Sequence, residues 1–145
     1  MKRTLTALIL IAAPMAQAQD AETLMSCITS ETSPEICIGL IATPCLETAD
    51  TVAAERVCFD TETDAWRGNA RDVFTAATAR LGALGGSLPA VLMSSQDGWD
   101  DYVNNTCTLL RLADPDKERR ELTEARCKME RTGARIIEIM QLAVE

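Results

Sequence analysis

The chain has no histidine in 145 residues, and its aromatic side chains number two tryptophans, one tyrosine and two phenylalanines. Without an imidazole there is no Ser-His-Asp or Cys-His nucleophile. There is no CxxC pair either, so a structural zinc site would have to gather thiolates from scattered positions. No strand-like alternation, internal repeat or glycine-rich phosphate loop behind a strand is found, and Gly85-Gly86 reads as a helix stop. No uncharged apolar run is long enough to cross a bilayer. Carboxylate pairs are the remaining route to catalysis: Glu62 with Asp64, or Asp97 with Asp100 and Asp101. Glycosidases use two such groups, and an enzyme acting on peptidoglycan is the form this would take. Spacings of this kind ordinarily mark a solvated helix face. The expectation is therefore a non-enzyme with no cofactor and no metal.

What is present begins with an export signal. Lys2 and Arg3 precede the apolar run Leu5 to Ala13, and Ala16-Gln17-Ala18 has the small-x-small form of a cleavage site. Cleavage after Ala18 would leave residues 19–145 as one small domain. A competing reading takes Leu24-Met25-Ser26-Cys27 as a lipid-modification box, but the polar residues 19–23 separate it from the apolar run. Loss of Lys2 and Arg3 takes the net charge from −8 to −10. Nucleic acid and anionic membrane repel such a chain, whereas a cationic partner is attracted. Six cysteines behind an export signal indicate three disulfides and a bacterial periplasm or the medium outside. Asn104-Asn105-Thr106 matches a glycosylation acceptor, which stays bare in a bacterial chain.

Helical periodicity runs throughout, so the fold class expected is all-α: disulfide-stapled antiparallel helical hairpins forming a bundle. The segment QDGWDDYVNNTC, Gln96 to Cys107, places Trp99 and Tyr102 at i, i+3 and is expected to be the core anchor. Residues 20–30 read as a first helix. Ser33-Pro34-Glu35 reads as the capped start of a second, which runs to about Ala42 and weakens at Pro44. Asp50 or Thr51 caps a long helix ending near Leu84. Its stripe of Val52, Phe59, Trp66 and Val73 recurs every seven residues, with Gly68 as a soft point. A helix over 87–112 is given the face Leu88, Leu92, Ser95, Trp99, Tyr102, Thr106 and Leu109. The last helix carries Leu122, Ala125, Met129, Thr132, Ile136, Ile139 and Ala143.

Six cysteines allow fifteen connectivities. In helical hairpins, stapled residues lie at similar heights on either side of a turn. Cys27 and Cys37 straddle the turn at residues 30–33, and Cys45 and Cys58 the turn near Asp50. Cys107 and Cys127 straddle Lys117, which requires either a turn extended to about Glu118 or a staggered pair. The sequential pairing is the expected one.

Three stretches resemble signatures of the lysozyme inhibitor LprI-like N-terminal domains, small exported bacterial proteins. The pattern C…E-x3-W-D-x2-L-N-x2-Y is met by Cys58, Glu62, Trp66 and Phe74, with Arg67 in place of Asp and Arg71 in place of Asn. The pattern Q-x2-W-x2-[FY]-R-D-A-x-C is met by Gln96, Trp99, Tyr102 and Cys107, with Val103 and Asn104 in place of Arg and Asp. The pattern C-x4-T-x2-R-x2-E-L is met by Cys127, Thr132, Arg135 and Glu138, with Ile139 in place of Leu. The resemblance spans about Cys45 to Met140. It implies a helical periplasmic domain with Cys45–Cys58 and Cys107–Cys127 as bridges, and binding and inhibition of lysozyme. On their own spacing, Trp66, Trp99 and Tyr102 read as core, Thr132 as packed in a helix seam, and Arg135 with Glu138 as a surface ion pair. Asp97, Asp100 and Asp101 are the candidate contacts to a cationic protein. The alternative is a non-inhibitory module of the cell envelope with another exported protein as its partner.

Overall fold

The computed structural model describes residues 13–144, with side chains from 19 to 143. Along it run α1 (Ala13–Ser30), a 3₁₀ turn (Pro34–Cys37), α2 (Ala42–Leu46), α3 (Val52–Leu84), α4 (Leu88–Ala113) and α5 (Arg120–Val144), with no strand among the described residues. The fold is all-α, and three disulfides staple it: Cys27–Cys37, Cys45–Cys58 and Cys107–Cys127, with Cα–Cα separations of 6.0, 5.6 and 5.6 Å. Among the described residues no helix is long and apolar enough to cross a membrane. Most of the expected export signal, residues 1–12, lies outside the described residues, and the expected cut after Ala18 falls within α1.

The spine is α3, 33 residues and about 50 Å long at 1.5 Å per residue. Thr51, in extended conformation, caps it by accepting the Ala54 N–H on its hydroxyl oxygen at 3.1 Å, and Gly85, at φ 85°, stops it. The last helix, α5, lies along α3 in the most extensive packing of the fold. α4 packs mainly on α5, and α1 on α3. One core cluster joins Leu24 and Ile28 of α1 to Trp66 and Val73 of α3 and to Ile136 and Ile139 of α5. A second gathers Ala42, Phe59, Leu122 and Met129 around the Cys45–Cys58 end. A third surrounds the Cys107–Cys127 bridge with Val103 and Trp99. The stripe expected on α5 is the one it buries, from Leu122 through Met129 and Thr132 to Ile139.

Four local expectations are corrected. The helix expected from Pro34 to about Ala42 is a 3₁₀ turn that breaks at Ile38, in extended conformation, and at Gly39, at φ 96°; Ser33 makes no side-chain cap. Pro44 lies inside the short α2 that follows, where its missing N–H removes little, because the first turn of a helix has no internal partner for its amides. Gly68 does not interrupt α3; a Cβ there would stand 3.5 Å from the Ala21 Cβ, so it lies where α1 crosses closely, next to the bond from Asn69 Nδ2 to the Ala21 carbonyl. On α4 the buried row is Leu92, Val103 and Cys107, with Trp99 half-buried. Tyr102 is 49% exposed, so that the segment expected as the core anchor is rotated outward about its tyrosine. Its bridge to Cys127 fixes that rotation.

Trp66 is the aromatic centre, fully buried, and its ring lies against Gly133 in the middle of α5. A Cβ on residue 133 would come within 3.0 Å of Trp66 Nε1 and 3.1 Å of Ile38. Glycine in a helix interior ordinarily costs about 1 kcal/mol relative to alanine. Here the ring occupies the space a side chain needs. Gly133→Ala is therefore expected to lower stability, by about 1–3 kcal/mol from overpacking, against the helix-propensity trend. Urea unfolding of the two proteins at unchanged m-value checks the sign.

The turn between α4 and α5 is organised by Asp114. One carboxylate oxygen accepts the Asp116 N–H at 2.9 Å and the other accepts the Thr123 hydroxyl. The Thr123 hydrogen bond, and next the Asp116 amide, hold the Asp114 carboxyl below its ordinary range, with Arg120 and Arg119 adding in the same direction. A carboxyl acidified by folding adds stability above its unfolded-state pKa and loses it as the pH falls toward the folded one. The melting temperature of Asp114→Asn is expected to fall less on acidification below the ordinary carboxylate range than that of the parent. Parallel slopes in thermal scans across that range would show Asp114 to be uninvolved.

Candidate functional site

The motif residues divide into three groups once α3, α4 and α5 are packed. Glu62 and Trp66 turn inward. Phe74, Gln96, Trp99, Thr132 and Arg135 line one cleft of about 200 Å³ between the three helices. Tyr102 and Glu138 face solvent.

Glu62 is wholly buried and carries a carboxylate, yet among the described residues no Lys or Arg pairs with it. Its oxygens are met by hydrogen-bond donors instead. Oε1 accepts from the Gly39 amide at 2.7 Å and from Trp66 Nε1 at 3.0 Å, and Oε2 from the amides of Ile41 at 3.0 Å and Ala42 at 2.8 Å. The positive φ of Gly39 turns this run of amides toward one point, an anion-holding concavity built by the backbone around a side chain of the same chain. This carboxylate serves structure: Asp64, its expected companion, is exposed and faces Arg67 at 3.6 Å.

Arg135 is not on the surface as its spacing suggested; it is 7% exposed. It bridges α5 to α4, donating from Nε to Gln96 Oε1 at 3.1 Å, from Nη2 to Ser95 Oγ at 2.9 Å and from Nη1 to Glu138 Oε2 at 2.9 Å. A guanidinium only donates, so Gln96 must present its oxygen to it, and its amide nitrogen is left for Asp100 Oδ1 at 3.1 Å. The buried charge of Arg135 thus orients a surface aspartate through one glutamine. Ser95, the third acceptor, is expected from sequence only as one residue of the α4 packing face, since nothing local couples it to a residue 40 positions away.

Asp97, Asp100 and Asp101 are all exposed on α4, and among the described residues none lies within ion-pair distance of a Lys or Arg. Beside them Tyr102 is held by Arg131, whose guanidinium carbon is 5.7 Å from the ring centroid, a cation–π contact from α5. The structure also shows where this chain departs from the motif patterns. Arg67, Val103 and Asn104 line the same cleft, while Arg71 lies apart from it.

The architecture defines a class: a disulfide-stapled, all-α domain whose polar features collect along α4 and the cleft beneath it. No family model, no curated protein and no solved structure matches the chain. The resemblance to the LprI-like domains accordingly rests on its motif residues.

Replacing the Glu62 carboxylate by an amide keeps the shape but turns one acceptor into a donor aimed at backbone N–H groups. Glu62→Gln is expected to cost about 2–4 kcal/mol, the range for stranding one or two buried donors, read by chemical denaturation with the indole N–H resonance of Trp66 as a local reporter.

Proposed function

We propose that the chain is an exported helical module that binds a cationic protein through the outer face of α4, with lysozyme as the partner the resemblance suggests. The observation that carries this reading is the free acidic surface of one α4 turn, where Asp97, Asp100 and Asp101 stand exposed beside the exposed ring of Tyr102. Three carboxylates with no Lys or Arg partner among the described residues attract a basic surface, and the net charge of −8 adds a long-range field of the same sign. Tyrosine is a side-chain type enriched at such contacts, and Arg131 limits its freedom before a partner arrives. Three disulfides suit an oxidising compartment, in keeping with the leader expected at residues 1–18. The reading is one of binding, not turnover.

A second reading, a non-inhibitory envelope module, is favoured by the apolar side chains that α4 leaves in solvent. Val91, Leu109 and Leu112 are 58%, 65% and 55% exposed. Such a partner would seat on apolar area and be insensitive to salt.

The expected outcome is inhibition of lysozyme by the purified protein at low ionic strength, weakening as salt shortens the Debye length from about 30 Å at 0.01 M to about 8 Å at 0.15 M. The triple variant Asp97→Asn, Asp100→Asn, Asp101→Asn is expected to slow association about tenfold at low salt. No binding at low salt would refute the lysozyme reading, and equal association by the triple variant would refute the α4 surface.

A further inference from the structure

The cleft between α3, α4 and α5 runs against the charge of the molecule. In a chain of net charge −8, its charged lining is Arg67, Lys128 and Arg135 against the single carboxylate of Asp100. That carboxylate is held at the edge by Gln96. We propose that this cleft, which borders the acidic surface of α4 at Asp100, is a binding site for a small organic anion bearing one flat apolar ring, of the arylalkanoate class.

Three features of the cleft set that chemistry. Arg135 is buried, with one N–H at each guanidinium nitrogen already committed. Nη1 and Nη2 each retain a second N–H, and the side chain lines the cleft. Such spare donors on a cation suit an anionic oxygen. The rim supplies two more cations. Arg67 is 61% exposed and 3.6 Å from Asp64, and Lys128, although bonded to Glu124 at 2.7 Å, keeps two further donors on its ammonium group. Two of the lining residues offer aromatic faces: the half-buried Trp99 and Phe74 stand from different helices, which suits a planar ring. At about 200 Å³ the space takes a single ring with a short acidic arm and excludes a polymer chain. A cationic ligand would face three like charges, and the carboxylates nearby are already engaged: Asp100 with Gln96, Asp64 with Arg67, Glu124 with Lys128 and Glu138 with Arg135.

The test uses the full chain and three probes of matched shape: phenylacetate, phenethylamine and 2-phenylethanol. The readout is the pair of tryptophan indole N–H resonances. Phenylacetate is expected to shift the Trp99 signal to saturation and leave that of Trp66, bonded to Glu62 in the core, in place. Phenethylamine is expected to leave both unmoved, and 2-phenylethanol to bind more weakly than the acid. Arg67→Glu and Lys128→Glu change exposed or half-exposed rim residues, so an unmoved Trp66 signal certifies their fold. Each is expected to weaken phenylacetate about three- to tenfold, as loss of one partly screened charge contact does, with Arg67→Lys close to the parent. Absence of a saturable Trp99 shift with phenylacetate, equal binding of phenethylamine, or unchanged affinity in both charge-reversal variants would overturn the proposal.

Discussion

The seat of one indole ring governs the rest of the molecule. Trp66 lies against Gly133 of α5, Ile38 packs into the same cluster, and the indole nitrogen is spent on Glu62. Glu62 in turn collects the amides of Gly39, Ile41 and Ala42, so a single i, i+4 pair on α3 orders the connection between the 3₁₀ turn and α2. Remove the ring, and the close approach of α5 to α3 loses its filling. Remove the carboxylate, and three amides, one buried and two part-buried, lose their acceptor, a loss that apolar packing does not replace.

The disulfides complement this centre by tying short loops into the core. Cys27–Cys37 and Cys45–Cys58 close loops on the N-terminal side of α3, with Cys37 buried in the cluster of Trp66 and Cys58 in that of Phe59. Cys107–Cys127 closes the α4–α5 hairpin and leaves α4 free to expose one flank. Each loop closure contributes on the order of 3 kcal/mol in the chain-entropy account. That suits a small domain whose helices bury only part of their surface. It also explains how α4 carries so many exposed apolar and acidic residues without coming away from the bundle.

Polar chemistry is layered outward from the same frame. Arg135 is buried because three acceptors from two helices satisfy it, and through Gln96 it steadies Asp100 at the surface. The acidic face and the cationic cleft are therefore neighbours joined by one glutamine. The two regions meet at Asp100, which stands among the exposed aspartates of α4 and also lines the cleft beneath them.

Much of this was legible in order along the chain. The absence of strand alternation, the seven-residue stripe of α3, the steps of three and four in α5, the Thr51 cap and the glycines after Leu84 specified the helices. Cysteines placed evenly about turns specified their partners, since the turn at 114–119 centres near Lys117 as the hairpin geometry requires. What the tertiary structure alone decided was rotation and burial. Two rows of α4 are comparably apolar, one through Leu88, Tyr102 and Leu109 and one through Leu92, Trp99 and Val103. Periodicity does not choose between them; the bridge at Cys107 and the clasp at Arg135 do. In the same way no local spacing shows that Glu62 is buried or that Arg135 is satisfied, because beyond Trp66 and Glu138 their partners come from residues 20 to 40 positions away, and a charged group enters a core only when the whole fold brings its hydrogen-bond partners to it.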